Sequence, residues 1–283
     1  MHQEVVEAVA QTAPREREVR LPFTPASNIA RPAWSRRVGA PAVVDRATWQ
    51  ARIDELRVKE KAHTRAGDAL AAERRRLPTD EVDPQTPLIG ADGLVPLIEV
   101  FDGRSQLIAY FLMWHTGKPA AEQCEGCTFN TAQTNELSYL HSRDMSYATF
   151  CHGPYEESSR YRDFMGWTHP WYSVRREAVD RLAVDPNAGI LGCYLRDGDK
   201  VYETYRTTGR GNEVMGSSYL LMDLTMYGRQ ESWEDSPEGW PQRRSSSGGQ
   251  MRLNGRPIAQ WSRIQAGRGD DLGTSATTDG IGP

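Results

Sequence analysis

Residues 107–141 read LIAYFLMWHTGKPAAEQCEGCTFNTAQTNELSYLH, and this stretch decides the fold. It begins with an apolar run, 107–114, that is typical of a buried strand, and it ends with a segment, 128–141, that can form a helix. Between the two lies a Cys-x-x-Cys pair, Cys124 and Cys127. A strand that delivers such a pair to the first turn of a helix places backbone N–H groups and the positive end of the helix dipole beside a thiolate. The stretch therefore predicts a reactive cysteine.

The composition is that of a globular protein. A hydrophobic content of 38% over 283 residues is enough for a core. The net charge of -4 gives no polycationic signature, so we expect no nucleic acid and no membrane as partners. No stretch reads as a leader peptide or a bilayer span, and we expect a cytoplasmic protein. In a reducing compartment, four cysteines indicate redox or metal chemistry rather than a disulfide framework.

The chain divides into four predicted segments around the cysteine pair. They are an extended or disordered arm at 1–44, an N-terminal helix at 45–78, a main domain at 88–234 and a C-terminal extension at 235–283. Prolines interrupt any helix in the arm, and the extension is linker-like apart from a short ordered stretch at 251–264. Both extensions are candidates for contacts with a second copy of the chain, as in a homodimer.

The predicted N-terminal helix has a thin apolar stripe. Asp45 is a good N-cap, and Pro78 ends the pattern. The stripe consists of Trp49, Ile53, Leu56, His63 and Leu70. We expect an amphipathic helix that packs on the main domain or along its own copy in a dimer.

The main domain has short elements in the order β-(Cys-x-x-Cys)α-β-α-β-β-α. The predicted elements are a hairpin around 91–93, a short helix at 96–101, strands at 106–114, 145–151, 189–196 and 200–207, and helices at 155–165 and 217–224. This order requires a parallel strand pair with a crossover and a final antiparallel hairpin. The predicted fold class is therefore α/β, with a thioredoxin-like central mixed sheet flanked by helices, an N-terminal amphipathic helix and irregular terminal extensions.

Several separated segments resemble one bacterial family. They are FDGRSQLIAYFLMW, CEGCTF, LHSRDMSYATF, RYRDFMGWTHPWYS, GCYLRDGDKVYETYRTTGRG and LMDLTMYGRQE, all within about residues 46–234. The family belongs to the thioredoxin superfamily and is filed as domain of unknown function eight-nine-nine. It is of the predicted dithiol-disulfide isomerase type and is related to the alkyl hydroperoxide reductase/thiol-specific antioxidant group. The resemblance implies a thioredoxin-like fold and thiol chemistry.

The leading functional hypothesis is a thiol-dependent oxidoreductase that acts on a disulfide or another small-molecule substrate and requires no cofactor. Cys124 is the expected nucleophile, and Cys127 is the expected resolving thiol. Glu125 opposes an extreme thiolate, because a carboxylate disfavours a second negative charge beside it. A peroxidase is disfavoured, since Ala121 stands where peroxiredoxins carry threonine or serine. A simple thioredoxin assignment is weakened too, because no cis-proline is evident immediately before the strand at 189–196, where thioredoxins carry one beside the active site. The structural alternative is an inert thiol pair that caps a helix.

A metal site is the alternative from another functional class. Soft sulfur together with imidazole favours copper first and zinc or iron next. The candidate ligands are Cys124, Cys127, His115, Cys151 and His152. A metalloenzyme of this kind would act on a small aromatic substrate in a pocket lined by Trp114, Tyr155, Trp167, Trp171 and Tyr172. Cys193 is expected to be a buried core residue, unless the strand register brings it to the site as a further ligand or resolving thiol.

Overall fold

A mixed eight-stranded sheet is the centre of the computed structural model, which describes residues 41–241 and 251–273. Its strands are β1 (Asp80–Val82), β2 (Pro87–Gly90), β3 (Gly93–Pro96), β4 (Gln106–Leu112), β5 (Met145–Cys151), β6 (Trp171–Ser173), β7 (Ile190–Asp197) and β8 (Lys200–Thr208). Their order across the sheet is β1-β8-β7-β4-β5-β6-β2-β3. β4, β5 and β6 run parallel, and every other neighbouring pair is antiparallel. The predicted parallel pair and final hairpin are confirmed, and the fold is thioredoxin-like.

Helices flank the sheet. They are α1 (Arg46–Arg74), α2 (Glu125–Ala132), α3 (Ser138–His141), α4 (Tyr155–Met165), α5 (Arg176–Leu182), α6 (Ser217–Asp223) and α7 (Trp261–Gln265), with 3-10 turns at Leu97–Phe101, Ala120–Glu122, Gly209–Met215 and Ile258–Gln260. A separate two-stranded hairpin joins β9 (Arg252–Leu253) to β10 (Arg256–Pro257). No helix within the described ranges is both long and apolar enough to cross a bilayer.

The two faces of the sheet carry two separate cores. Side chains alternate along β4, so that Leu107, Ala109 and Phe111 enter one core while Tyr110 and Leu112 enter the other. The second core also contains Cys127, the aromatic side chains of α4 and Trp171 of β6. A strand covered on both faces reads as a continuous apolar run, which is why residues 107–114 indicate its position so clearly.

The helix predicted over 128–141 is divided in two. α2 ends at Ala132, and α3 begins six residues later at Ser138. Tertiary contacts hold the break open: the Gln133 side-chain oxygen accepts hydrogen bonds from the hydroxyls of Ser217 and Ser218, each at 2.8 Å. Local side chains cap the break as well: Asn135 donates its side-chain N–H to the carbonyl of Ala132 at 2.8 Å, and the Glu136 carboxylate accepts the backbone N–H of Ser138 at 2.7 Å.

α1 begins where the sequence predicts, but its apolar stripe does not pack on the main domain. The Asp45 carboxylate accepts the backbone N–H of Thr48 at 2.9 Å, as an N-cap should. None of the residues of α1 is buried, and Trp49, Leu56 and Leu70 are each more than 40% exposed. The large apolar residues are too widely spaced on a charged helix to cover a continuous surface. The prediction that α1 packs on the main domain is therefore wrong. The alternative, that α1 packs along a second copy of the chain, stays a prediction.

Of the two predicted terminal extensions, the structure describes mainly the C-terminal one. The predicted arm at 1–44 lies almost wholly outside the described residues. In the C-terminal extension, the short ordered stretch predicted at 251–264 is present as β9, β10, the 3-10 turn and α7. It is more than a linker, since Gln260 is fully buried against the main domain. Trp261 donates its indole N–H to the carbonyl of Leu253 at 2.9 Å, a bond within the extension itself.

Candidate active site

The loop after β4 is fastened so that Cys124 enters a helix. Gln123, only 1% exposed, donates its side-chain N–H to the carbonyls of His115 at 2.9 Å and Lys118 at 3.0 Å. Its side-chain oxygen accepts the backbone N–H of His115 at 3.0 Å. One buried amide therefore ties both ends of the loop together and fixes the direction in which the chain reaches Cys124.

Cys124 is the N-cap of α2. Its sulfur accepts the backbone N–H of Cys127 at 3.3 Å, and the side chain is partly exposed. The hydrogen bond from the Cys127 thiol, together with that backbone N–H, lowers the pKa of Cys124 to about 7, while burial and the Glu125 carboxylate oppose the change. A substantial fraction of Cys124 is therefore thiolate near neutral pH.

Cys127 has the opposite character. It is 3% exposed, and the hydrogen bond it gives to Cys124, followed by burial, raises its pKa well above the ordinary value. Tyr110 from β4 and the backbone of Met113 hydrogen-bond to its sulfur and act in the other direction. Asn130 donates its side-chain N–H to the Tyr110 hydroxyl oxygen at 3.2 Å, which leaves the phenolic proton free to point at Cys127. The pair thus combines a partly exposed thiol of lowered pKa, Cys124, with a buried thiol of raised pKa, Cys127.

A cleft opens on the pair from outside the helix. It encloses about 430 Å³, and its floor includes Cys124, Cys127 and Tyr110. Its other lining residues are Met113, Gly126, Asn130, Ala188, Gly189, Thr208, Gly209, Arg210, Asn212, Glu213, Tyr219, Glu231, Trp233 and Met251. The thiols are therefore presented to a bounded space, whose far wall comes from the chain after β8 and from the C-terminal extension.

Gly189 is the point where β7 approaches the pair. A Cβ placed on it would lie 2.9 Å from the Tyr110 hydroxyl oxygen and 3.4 Å from the Cys127 sulfur. Its carbonyl accepts hydrogen bonds from the Asn212 side-chain N–H and the Thr208 hydroxyl, both at 2.7 Å. The described residues contain no cis peptide bond, so glycine rather than a cis-proline makes this close approach.

Arg252 fastens the C-terminal extension to the active-site loop. Its guanidinium donates to the carbonyls of Ala121 at 2.7 Å and Gln123 at 2.8 Å. It also forms a 3.0 Å ion pair with Glu125, the carboxylate that follows the nucleophile. Both side chains of this ion pair are about a quarter exposed, at 26% and 24%. Arg252 thus places a positive charge on the one acidic group that opposes the Cys124 thiolate.

A buried hydrogen-bond chain supports the same loop from behind. Gln260 donates to the carbonyl of Ala120 and to the Tyr161 hydroxyl, both at 2.7 Å. The Tyr161 hydroxyl also lies 2.7 Å from that of Thr128, and the Thr128 hydroxyl donates to the carbonyl of Cys124 at 2.7 Å. The extension therefore reaches the first turn of α2 by a second route.

Of the five candidate metal ligands, the structure brings together only Cys124 and Cys127. His115 is exposed on the loop. Cys151 is fully buried, and burial raises its pKa to about 12. His152 stacks on Phe111, whose side chain belongs to the opposite core. Within 41–241 and 251–273 no three His, Cys, Asp or Glu side chains are grouped to hold an ion. A resident copper, zinc or iron stays a prediction that would need ligands beyond this set.

The five predicted pocket aromatics do not line the cleft. Trp114 donates its indole N–H to Glu157 at 3.0 Å, and Trp171 donates to Ser158 at 3.1 Å. Trp167 stacks on Trp171 at 5.8 Å, Tyr155 packs at the edge of the same core, and Tyr172 contacts Phe150 in the other core. Four of the rings therefore pack in the core that contains the aromatic side chains of α4, and Tyr172 packs in the other core.

Cys193 is separated from the pair by strand register. It lies opposite Ile108 of β4 and Tyr205 of β8, partway along the sheet, and is only partly buried. The charged groups that act on its pKa are Glu203 and Arg74, while burial raises it. Neither Cys193 nor Cys151 lines the cleft.

Four residues that matter here escaped the sequence reasoning: Tyr110, Asn130, Gly189 and Arg252. Tyr110 carries a weak signal, because a hydroxyl inside the apolar run 107–114 must find a buried partner. Asn130 and Gly189 are ordinary residues in their local contexts. Arg252 lies far along the chain, at the start of the short ordered stretch predicted in the C-terminal extension, and nothing in its local sequence links it to the cysteine pair.

Topology and site together define a thioredoxin-like α/β protein with a Cys-x-x-Cys pair at a helix N-terminus. The chain belongs to the family described as "Bacterial protein of unknown function (DUF899)", whose model matches residues 38–248. This match confirms the resemblance seen in the separated sequence segments. A search of curated proteins finds no match.

Three solved structures are similar to part of the chain. A thioredoxin from Wuchereria bancrofti has 16% identity and a TM-score of 0.33, covering 49% of this chain and 90% of its own. A mutant of Xanthomonas campestris peroxiredoxin Q has 11% identity and a TM-score of 0.35, covering 50% and 96%. A thioredoxin-like protein from Aeropyrum pernix has 16% identity and a TM-score of 0.28, covering 56% and 99%. The fold assignment rests on the strand order and connections rather than on these partial superpositions.

Proposed function

We propose that the protein is a thiol-dependent oxidoreductase that exchanges a dithiol for a disulfide at Cys124 and Cys127. The observation that carries the proposal is the asymmetry of the pair. Cys124 caps α2 with a pKa lowered to about 7 and opens on the cleft, whereas Cys127 is buried with its pKa raised. An inert helix-capping pair would need neither the cleft nor the difference in acidity.

The reaction follows from this asymmetry. The Cys124 thiolate attacks one sulfur of a substrate disulfide, and the other sulfur leaves as a thiolate. Cys127 then loses its proton and attacks the Cys124 sulfur, which releases the second substrate thiol and closes the protein disulfide. Tyr110 and the Met113 backbone are positioned to stabilise the Cys127 thiolate at that step. Two electrons pass from the protein to the substrate, and an external dithiol must return them.

A reducing cytoplasm would supply such a dithiol, and a cytoplasmic location belongs to the same proposal. The reaction needs no metal or organic cofactor. Its substrate is a disulfide, either in a small molecule or in another protein.

The test is single-turnover reaction of the reduced protein with a disulfide, followed by mass spectrometry. Cys124→Ser should abolish the reaction, and Cys127→Ser should stop it at a mixed disulfide on Cys124. Cys193→Ser is the matched control, because that thiol is partly exposed but lies away from the cleft. Retention of the reaction in Cys124→Ser would refute the proposal.

A further inference from the structure

The cleft beside the thiols is walled by residues that are held rigidly. Arg229, with a side chain only 5% exposed, forms ion pairs with Glu213 at 2.9 Å and Asp223 at 2.6 Å. Its guanidinium also lies 4.3 Å from the centre of the Tyr219 ring. Glu213 and Tyr219 both line the cleft, so this buried cation fixes two parts of the wall before any ligand enters.

Apolar side chains dominate the space that faces the sulfurs. Met113, Tyr219, Trp233 and Met251 contribute to the lining. Trp233 is 46% exposed, which is unusual for a tryptophan and leaves apolar surface in the lining of the cleft that Cys124 also lines. A ligand that covers this surface removes it from water.

The charges around the cleft do not favour an anion. Arg210 is the lining cation, and its guanidinium is already bonded to Glu213 at 2.7 Å and lies over the Trp233 ring at 4.2 Å. Glu231, only 7% exposed, adds a second carboxylate and accepts the indole N–H of Trp233. A carboxylate on the ligand would meet two acidic side chains and no unpaired cation among the lining residues.

We propose that the cleft takes an uncharged, low-molecular-weight disulfide that bears aromatic or apolar groups. This substrate class rests on the proposed dithiol chemistry and deepens it. The Cys124 thiolate bonds to one sulfur of the disulfide, and an aryl thiolate leaves. Cys127 then displaces the second aryl thiolate and forms the protein disulfide, so that two electrons reach the substrate. A small dithiol such as dithiothreitol restores the reduced protein.

The experiment compares two disulfides that share an aromatic core. Dithiodipyridine is uncharged, and dithiodinicotinic acid carries carboxylates on the same ring system. Stopped-flow rates of Cys124 oxidation are measured for both and divided by the rates of free 2-mercaptoethanol, which corrects for intrinsic reactivity. We expect this normalised rate to favour the uncharged disulfide by about tenfold or more, a selectivity of about 1.4 kcal/mol.

Trp233→Ala should lower the rate with dithiodipyridine by about fivefold, because it removes apolar wall that the ligand would cover. Alkylation of Cys124 by iodoacetamide, which is too small to need that wall, should stay unchanged, and Trp233→Phe should restore most of the rate. Tyr139→Ala is the control for loss of an exposed aromatic, since Tyr139 is 79% exposed on α3 and does not line the cleft.

Two other outcomes are informative. Equal normalised rates for both disulfides, with no selective effect of Trp233→Ala, would overturn the substrate class while leaving dithiol chemistry in place. A Cys124 that is alkylated normally but reacts with neither disulfide would overturn the proposed function itself, and the substrate class with it.

Discussion

Replacing Arg252 tests whether a distant arginine sets the acidity of the nucleophile. Arg252→Ala removes the 3.0 Å ion pair to Glu125 and leaves that carboxylate uncompensated beside Cys124. An arginine within about 4 to 6 Å lowers the pKa of an acidic group by about 1 to 3 pH units, so losing Arg252 should raise the pKa of Cys124, and partial exposure of the ion pair favours the lower end of that range. From a starting pKa of about 7, a rise of about one pH unit reduces the thiolate at pH 7 from about a half to about a tenth.

The assay is the rate of iodoacetamide alkylation at Cys124 of the reduced protein, measured by mass spectrometry from about pH 5 to about pH 9. The midpoint of the rate against pH is the readout, because a thiolate of higher pKa is also intrinsically more nucleophilic. Wild type should show a midpoint near 7, and Arg252→Ala a midpoint about one pH unit higher. Glu125→Gln should lower it, since the Glu125 carboxylate raises the pKa of Cys124.

Charge-changing variants of Arg252 separate charge from structural loosening. Arg252→Lys keeps the positive charge and should leave the midpoint near the wild-type value, whereas Arg252→Gln keeps a hydrogen-bond donor without the charge and should raise the midpoint as Arg252→Ala does. Arg256→Ala is the matched control, because Arg256 belongs to the same extension but pairs with Asp270 at 2.7 Å. The reasoning is refuted if Arg252→Ala moves the midpoint by less than about 0.3 pH unit, or if Arg252→Gln leaves it at the wild-type value.

Three further predictions concern stability. Burial lowers the pKa of His152 to about 4, so between about pH 6.5 and about pH 4 the unfolded chain binds one more proton than the folded chain, and acid destabilises the fold. In urea titrations, His152→Phe should therefore reduce the slope of unfolding free energy against pH by up to about 1.4 kcal/mol per pH unit. An unchanged slope would contradict this prediction. Gly153→Ala should lower the thermal midpoint strongly, because a Cβ there would lie 2.2 Å from Trp114; a midpoint like that of Gly126→Ala, where the added Cβ meets open space, would count against it. A chain starting at Leu77 should keep the urea midpoint of the full chain, since α1 buries none of its residues, and a large drop would show that α1 is part of the core.

The sequence could predict those parts of the fold that depend on local periodicity. β4, β5, α4, β7 and β8 appear within a few residues of their predicted limits, because each combines a clear apolar pattern with a turn or proline at its end. Apolar periodicity could not predict the break between α2 and α3, since the break depends on side-chain bonds: local caps by Asn135 and Glu136, and the bonds from Gln133 to α6. The prediction that α1 packs on the main domain was wrong for a related reason. An apolar stripe shows which face of a helix can be buried, but not whether another surface covers that face.

The candidate site shows the same division between local and distant causes. Sequence reasoning located Cys124 and Cys127 at a helix start and identified Glu125 as an opponent of the thiolate. Glu125, the nearest charged residue in sequence, raises the pKa of Cys124 as expected, yet that pKa also depends on groups that the fold brings near the sulfur from elsewhere in the chain. Arg252, Tyr110 and Gly189 come from the C-terminal extension, β4 and the start of β7. A Cys-x-x-Cys motif therefore predicts where a reactive thiol lies, whereas its acidity and the space before it follow from tertiary structure, which here includes contacts from the C-terminal extension.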